Sequence, residues 1–188
     1  MSDRVVTDMG LHSLRDAIAR DDREACEVAL RAALGDMSPE AALELASSRV
    51  RAGLGTFLRF HPADRWAEEA LDGRTLVRPG EYAGPGGNSY AKAVEALLDA
   101  RESVENPAVA RQRCADALIH AIAARAWAEY GRKFPDAWNA WYADAPNYED
   151  PDAPPPTGAL ASSLHDADVL RVEREEWIAV LHGMTAHH

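Results

Sequence analysis

Apolar residues in this chain recur every three or four positions from Leu11 onward, the spacing that gathers them along one side of an α-helix. Leu11, Leu14 and Ile18 form the first stripe. Asp21 or Asp22 then offers an N-cap for a second helix with Cys26, Ala29, Leu30, Ala33 and Leu34 on one face, and Gly35 is placed to close it as a left-handed C-cap. Ser38-Pro39-Glu40 puts a capping hydroxyl before a proline at the first helical position, where the missing N–H costs nothing. That predicts a third helix to about Arg51, buried along Ala42, Leu45 and Ala46, with Gly53 and Gly55 loosening or ending it. A fourth is predicted from Pro62 through Trp66 and Leu71 to Gly73.

The periodicity then breaks. The run RTLVRPGEYAGPGG holds four glycines and two prolines, which makes 74–88 an ordered loop or a flexible excursion. Asn88 or Ser89 caps a fifth helix carrying Tyr90, Val94, Leu97 and Leu98, and Asn106-Pro107 starts a sixth. The sixth has Cys114, Ala117, Leu118, Ala121 and Ile122 on one face and Ile119 and Trp127 beside it, and is predicted to end at Gly131. So long and alanine-rich a helix belongs at the centre of a fold. Phe134-Pro135-Asp136 opens a short helix bearing Trp138, Trp141 and Tyr142, which Pro146 stops. From Pro146 to Gly158 come five prolines with Glu149, Asp150 and Asp152, the composition of an extended acidic linker at 146–158. A last helix runs from about Asp166 to Leu181, with Leu170, Trp177 and Leu181 on one side and Gly183 as its stop.

Thr75-Leu76-Val77 is the only scrap of sequence with strand character. The expected class is therefore all-α: a single domain over residues 1–188, built as an irregular helical bundle or short helical-repeat stack of about seven to eight helices.

Composition narrows the function classes. Hydrophobic residues at 47% and charged residues at 27% are the balance of a globular protein rather than a disordered one. The net charge of −11, from 31 acidic and 20 basic residues, repels a phosphate backbone, and the arginines are scattered among acids as in Arg15-Asp16 and Arg23-Glu24, so no nucleic-acid partner is expected. The N-terminus lacks the basic start and apolar core of a signal peptide, and no apolar run is long enough to span a bilayer. No membrane partner and a cytoplasmic location follow as expectations. Cys26 and Cys114 are too far apart for a metal-binding pair and sit at helical spacing among alanines and leucines, which reads as buried free thiols. The closing His187-His188 fits a native end or a tag remnant alike.

Histidines are the residues with most chemical scope. No His-Glu-x-x-His is present, and Leu58, Ala117, Ser162 and Ala179 stand three before His61, His120, His165 and His182, so the Glu-x-x-His of di-iron bundles is missing. No metal site and no cofactor are predicted. Asp116 and His120 lie four apart in the long helix, where the carboxylate can orient the ring and raise its basicity; a buried structural pair is the plainer reading. His61-Pro62-Ala63-Asp64 and His165-Asp166-Ala167-Asp168 share His-x-Ala-Asp, read first as helix capping by the aspartates and second as a ligand site at His61. The loop Gly84–Ser89 opens onto a helix and offers backbone N–H groups to an anion, but no Lys-Ser or Lys-Thr follows the glycines as in a phosphate-binding loop. Trp138, Trp141 and Tyr142 are read as core packing, or as the lining of a ligand pocket or partner groove. Catalytic triads converge only in space, so spacing assigns none.

The closing stretch from Glu176 to His187, with Trp177 followed by His182-Gly183 and Thr185, resembles a run found in questin oxidase-like proteins and related Rieske-linked α-helical domains. The early pair LRDAIARDDREACEVALRAAL and SPEAALELASSRV is similar in style to their repeats. The resemblance implies a helical scaffold in which His182 and His120 face a cavity for a small organic molecule, with oxidative chemistry. The chain carries no Rieske Cys-x-His pairs, which excludes iron–sulfur chemistry.

Two function classes are expected. The first is a helical interaction or accessory module that meets a protein partner or a second copy of itself. The second is a small-molecule-binding, oxidoreductase-like enzyme with a pocket walled by the long helix, the Trp138–Tyr142 segment and the 74–88 loop, using His120 or His182 as general base or ligand, with Asp116 orienting His120.

Overall fold

A computed structural model describes residues 3–74, 78, 80, 82, 84–144 and 165–186, with side chains from Met9 on except those of Trp141, Tyr142 and Asp144. The 146–158 linker, Thr75-Leu76-Val77 and His187-His188 lie outside the described residues. Within them there are eight α-helices and no strand: α1 (Asp3–Ala19), α2 (Arg23–Gly35), α3 (Pro39–Phe60), α4 (Trp66–Leu71), α5 (Gly87–Glu102), α6 (Pro107–Lys133), α7 (Pro135–Asp144) and α8 (Ala167–Ala186).

Caps set most helix starts. The Asp22 carboxylate accepts from Ala25 N–H at 3.0 Å, the Ser38 hydroxyl from Ala41 N–H at 3.1 Å and the Asn106 side chain from Val109 N–H at 3.4 Å, each satisfying a donor that the first turn leaves without a helical partner. Pro39 and Pro107 follow two of these caps at the start of their helices. The start of α5 differs from expectation. Gly86 takes the cap position at φ 76°, and the Asn88 side chain accepts from Tyr82 N–H at 2.7 Å, tying the incoming loop to the helix. The fourth helix begins at Trp66 rather than Pro62, because the Asp64 carboxylate accepts from Trp66 N–H at 2.8 Å and sets the start there.

Four glycines expected to loosen or end helices lie inside them; Gly55 in α3 has open space beside it, and the other three do not. Gly53 is within α3, Gly131 within α6 and Gly183 within α8. A β-carbon on each would come within 2.8 Å of the Tyr90 ring, 2.2 Å of the Pro85 ring and 2.4 Å of Leu45, respectively. They are sites where a neighbour presses onto the helix backbone. Gly35 is the last residue of α2 and does not take a left-handed φ; Asp36 follows it in the right-handed region.

The bundle is organised around α6, which packs against α5 most extensively and also against α2, α3, α7 and α8. Its buried residues include Ala110, Ala115, Ala117, Ala121, Ala124, Ala126 and Ala128. Small side chains on several faces let the surrounding helices come close, and α6 is about 40 Å long at the rise of an α-helix. The closest approach of a glycine to another segment's backbone is at Gly86, where a β-carbon would fall 2.3 Å from the Ala124 carbonyl oxygen. Helices α1 and α2 form a hairpin that packs on α6 through α2 and on α8 through α1. The apolar residues of α1–α6 and α8 merge into one core.

Candidate functional site

Along α8 the inward residues are Val169, Glu173, Trp177, Val180, Leu181 and Met184, so Glu173 is a carboxylate on an otherwise apolar face. A charge in that position needs a partner. Arg23, in the first turn of α2, supplies it: Nε and Nη2 donate to the two Glu173 carboxylate oxygens at 2.6 Å each, the two-pronged geometry that suits a guanidinium. The Glu173 side chain is 11% exposed and that of Arg23 is 63% exposed, so the carboxylate is the sunken end and the guanidinium lies over it. The hydrogen bond to Glu173 raises the Arg23 pKa further above its ordinary value.

A second pair stands beside the first. Arg174 Nε and Nη2 donate to the Asp21 carboxylate at 2.8 and 2.5 Å. Asp21 occupies the α1–α2 turn at φ 53°, the one positive φ outside glycine among the described residues. Aspartate tolerates that left-handed conformation better than most residues, and the turn delivers its carboxylate to α8.

These pairs border two cavities. One, of about 260 Å³, lies between α1, the α1–α2 turn, α2 and α8, and is lined by Ile18, Asp21, Arg23, Cys26, His165, Leu170, Glu173, Arg174 and Trp177. The other, of about 290 Å³, lies between α2, α6 and α8; Ile119, Ile122, Ala123, Ala126, Trp127 and Val169 make its apolar wall, with Glu27 and Tyr130 also at its border. Arg23, Glu173 and Trp177 line both. Trp177 is buried, and its indole N–H has no hydrogen-bond acceptor among the described residues. Burial, with Glu173 as the leading charge, pushes the Cys26 thiol up to about 11.

The residues singled out from sequence are dispersed. Asp116 faces Arg31, whose Nη1 donates at 2.8 Å, and Arg113 at 3.6 Å. His120 is half-buried; burial and the nearby Lys92 hold its pKa below the ordinary imidazole value against the opposing pull of Asp116. His182 is an exposed residue of α8. His120, Asp116 and His182 line neither cavity.

His61 packs among Phe57 and Tyr82, with ring centroids 4.9 and 4.8 Å away. Its Nε2 is buried without a hydrogen-bond partner among the described residues, and burial lowers its pKa. The Gly84–Gly87 loop closes over this cluster: Gly84 C=O accepts from Gly87 N–H at 2.9 Å, and the cavity left there is about 10 Å³, the space of roughly one water. In the other His-x-Ala-Asp segment, Asp166 accepts from Asp168 N–H at 2.9 Å and Val169 N–H at 3.4 Å, the capping role expected of an aspartate there. Trp138 is buried with its ring centroid 5.7 Å from that of Trp127; the Trp141 and Tyr142 side chains lie outside the described residues.

Sequence spacing missed Arg23, Glu173, Arg174 and Asp21, since partners 150 and 153 residues apart leave no local trace. One signal was available: Glu173 stands four residues before Trp177 and four after Val169, within the apolar stripe of α8.

Among the described residues no group of three or more His, Cys, Asp or Glu side chains could hold a metal ion, and no helix is long and apolar enough to cross a membrane. The fold is an all-α helical bundle. No protein-family model, curated protein or solved structure matches the chain.

Proposed function

We propose that this protein binds a small organic molecule between α2, α6 and α8. The observation that carries the reading is the pair of cavities, about 260 and 290 Å³, that share Arg23, Glu173 and Trp177. Together they reach the size of ordinary ligand sites, which are mostly apolar with a few fixed polar groups. Two tryptophans, Trp127 and Trp177, contribute flat apolar wall. The activity proposed is binding; no catalytic step is assigned, because His120 and His182, the histidines expected to act as base, line neither cavity.

The reading as an interaction module has less to support it. Among the described residues the exposed large apolar side chains are Met9, Val28, Phe60, Val104 and Val109, spread over α1, α2, the end of α3, the α5–α6 turn and the start of α6. Isolated exposed apolar side chains are ordinary on any soluble surface.

The test is titration with the neutral dye N-phenylnaphthylamine. The expected result is saturable, blue-shifted emission that weakens at least tenfold in affinity in Ala123→Phe, which fills the α6 side of the site, with the circular dichroism of the variant unchanged. Absence of any dye response with the wild-type chain, or equal binding by Ala123→Phe, overturns the reading.

A further inference from the structure

Resting on the small-molecule reading above, the hydrogen-bonding inventory of the two cavities narrows the ligand class. In the 260 Å³ cavity each oxygen of Asp21 and of Glu173 already receives a guanidinium N–H group, and each carboxylate charge is paired. More donors than acceptors stay open. Each arginine uses Nε and Nη2, so Nη1 of Arg23 and of Arg174 has no protein acceptor among the described residues. His165, exposed at the same cavity, adds an imidazole. The open capacity is weighted toward donors, two guanidinium edges and the buried Trp177 indole N–H, which has no acceptor among the described residues, and it calls for an acceptor-only head, an oxyanion.

The 290 Å³ cavity has the opposite character. Its α6 wall is Ile119, Ile122, Ala123, Ala126 and Trp127, which offers dispersion contacts and apolar burial. Arg23, Glu173 and Trp177 form the junction between the two spaces. We infer that the ligand is an amphipathic carboxylic acid, its carboxylate beside the Nη1 groups of Arg23 and Arg174 and its apolar body against α6. A cationic head brings only donors to a space that already holds guanidinium N–H groups and the Trp177 indole N–H. A neutral hydroxyl accepts from fewer of these donors than a carboxylate does.

The arrangement also explains the pairing of each arginine. The Asp21 and Glu173 carboxylates hold the guanidinium planes in place while leaving one edge of each free, so the donors are set before the ligand arrives. Asp21 competes for the charge of Arg174 while positioning it. Arg174 is 44% exposed, so replacing it does not open the core.

The experiment is calorimetric titration of the full chain with decanoate, decanol and decylammonium. Decanoate is expected to bind at least tenfold more tightly than decanol, with decylammonium weakest. In Arg174→Gln that preference is expected to fall to threefold or less with decanol affinity unchanged. In Asp21→Asn, which keeps a residue suited to the left-handed turn and removes the competing charge, decanoate is expected to bind a few-fold more tightly. Equal binding of decanoate and decanol, a preference for decylammonium, or an Arg174→Gln variant with full preference overturns the carboxylate assignment and leaves the small-molecule reading standing. If none of the three probes binds, the carboxylate assignment falls, and the dye titration alone decides the small-molecule reading.

Discussion

Gly53 lies under the ring of Tyr90, so close that a β-carbon on the glycine would stand 2.8 Å from the ring edge, and the Tyr90 hydroxyl donates to the Val50 carbonyl at 2.9 Å on the same helix. The pair locks α5 onto α3. Gly53→Ala is expected to cost about 1–3 kcal/mol, because a ring buried on all sides cannot step back without strain. Gly55, two residues on in the same helix, has nothing within 4 Å of an added β-carbon, and Gly55→Ala is expected to stabilise by about 0.5–1 kcal/mol through helix propensity. Urea denaturation of the two variants should move the midpoint in opposite directions.

The half-buried histidines give the fold a defined acid response. Burial lowers the pKa of His61 and, with Lys92 and Arg31, that of His120 below the ordinary 6.5. The unfolded chain then binds more protons than the native one between each lowered value and 6.5. Stability from these groups is complete above that pH and declines as pH falls through the native pKa values. Urea midpoints measured from pH 8 down to 5 should decrease, and His120→Gln should flatten the slope; a midpoint that rises on acidification would contradict this assignment.

Glu176 joins three helices. It accepts from Arg49 of α3 and, at 3.2 Å, from Arg125 Nε of α6, while Arg125 Nη1 also donates to the Thr56 hydroxyl. All three charged side chains are half-buried, so removing the central one leaves two guanidinium groups without their charge partner. Glu176→Gln is expected to cost about 2 kcal/mol, toward the low end for a buried pair because water still reaches the arginines. Thermal melts of Glu176→Gln and of Arg49→Gln/Glu176→Gln should differ by less than the single change costs.

Both thiols should be sluggish in the native protein. Burial pushes Cys26 and Cys114 up to about 11, and each is almost wholly enclosed. Their reaction with a disulfide reagent at pH 8 is expected to be at least about a hundredfold slower than in urea, since only the accessible thiolate attacks.

Much of the bundle was legible because its helices obey one periodicity and announce themselves with side-chain caps. Asp22, Ser38-Pro39 and Asn106-Pro107 marked three starts, and the stripes of α2 and α6 match their buried faces. The ends were less legible. A glycine that terminates a helix and one that admits a neighbour look alike along the chain, and Gly53, Gly131 and Gly183 are of the second kind because Tyr90, Pro85 and Leu45 reach them from distant segments. The candidate site was the least legible part. Asp116 and His120 are near in sequence, but the Asp116 carboxylate is engaged by Arg31 of α2 and by Arg113. The cavities instead depend on Arg23 and Asp21 meeting residues of α8, a juxtaposition made only when the first hairpin and the last helix pack together.

Lys133 at the end of α6 donates through Nζ to Asp166 and Asp168 at 2.6 Å each, so the chain returns to the place it left. One ammonium group thereby anchors the start of α8 to the end of α6. Through that contact the last helix keeps its seat, and with it the carboxylate and the indole that it carries into the cavities.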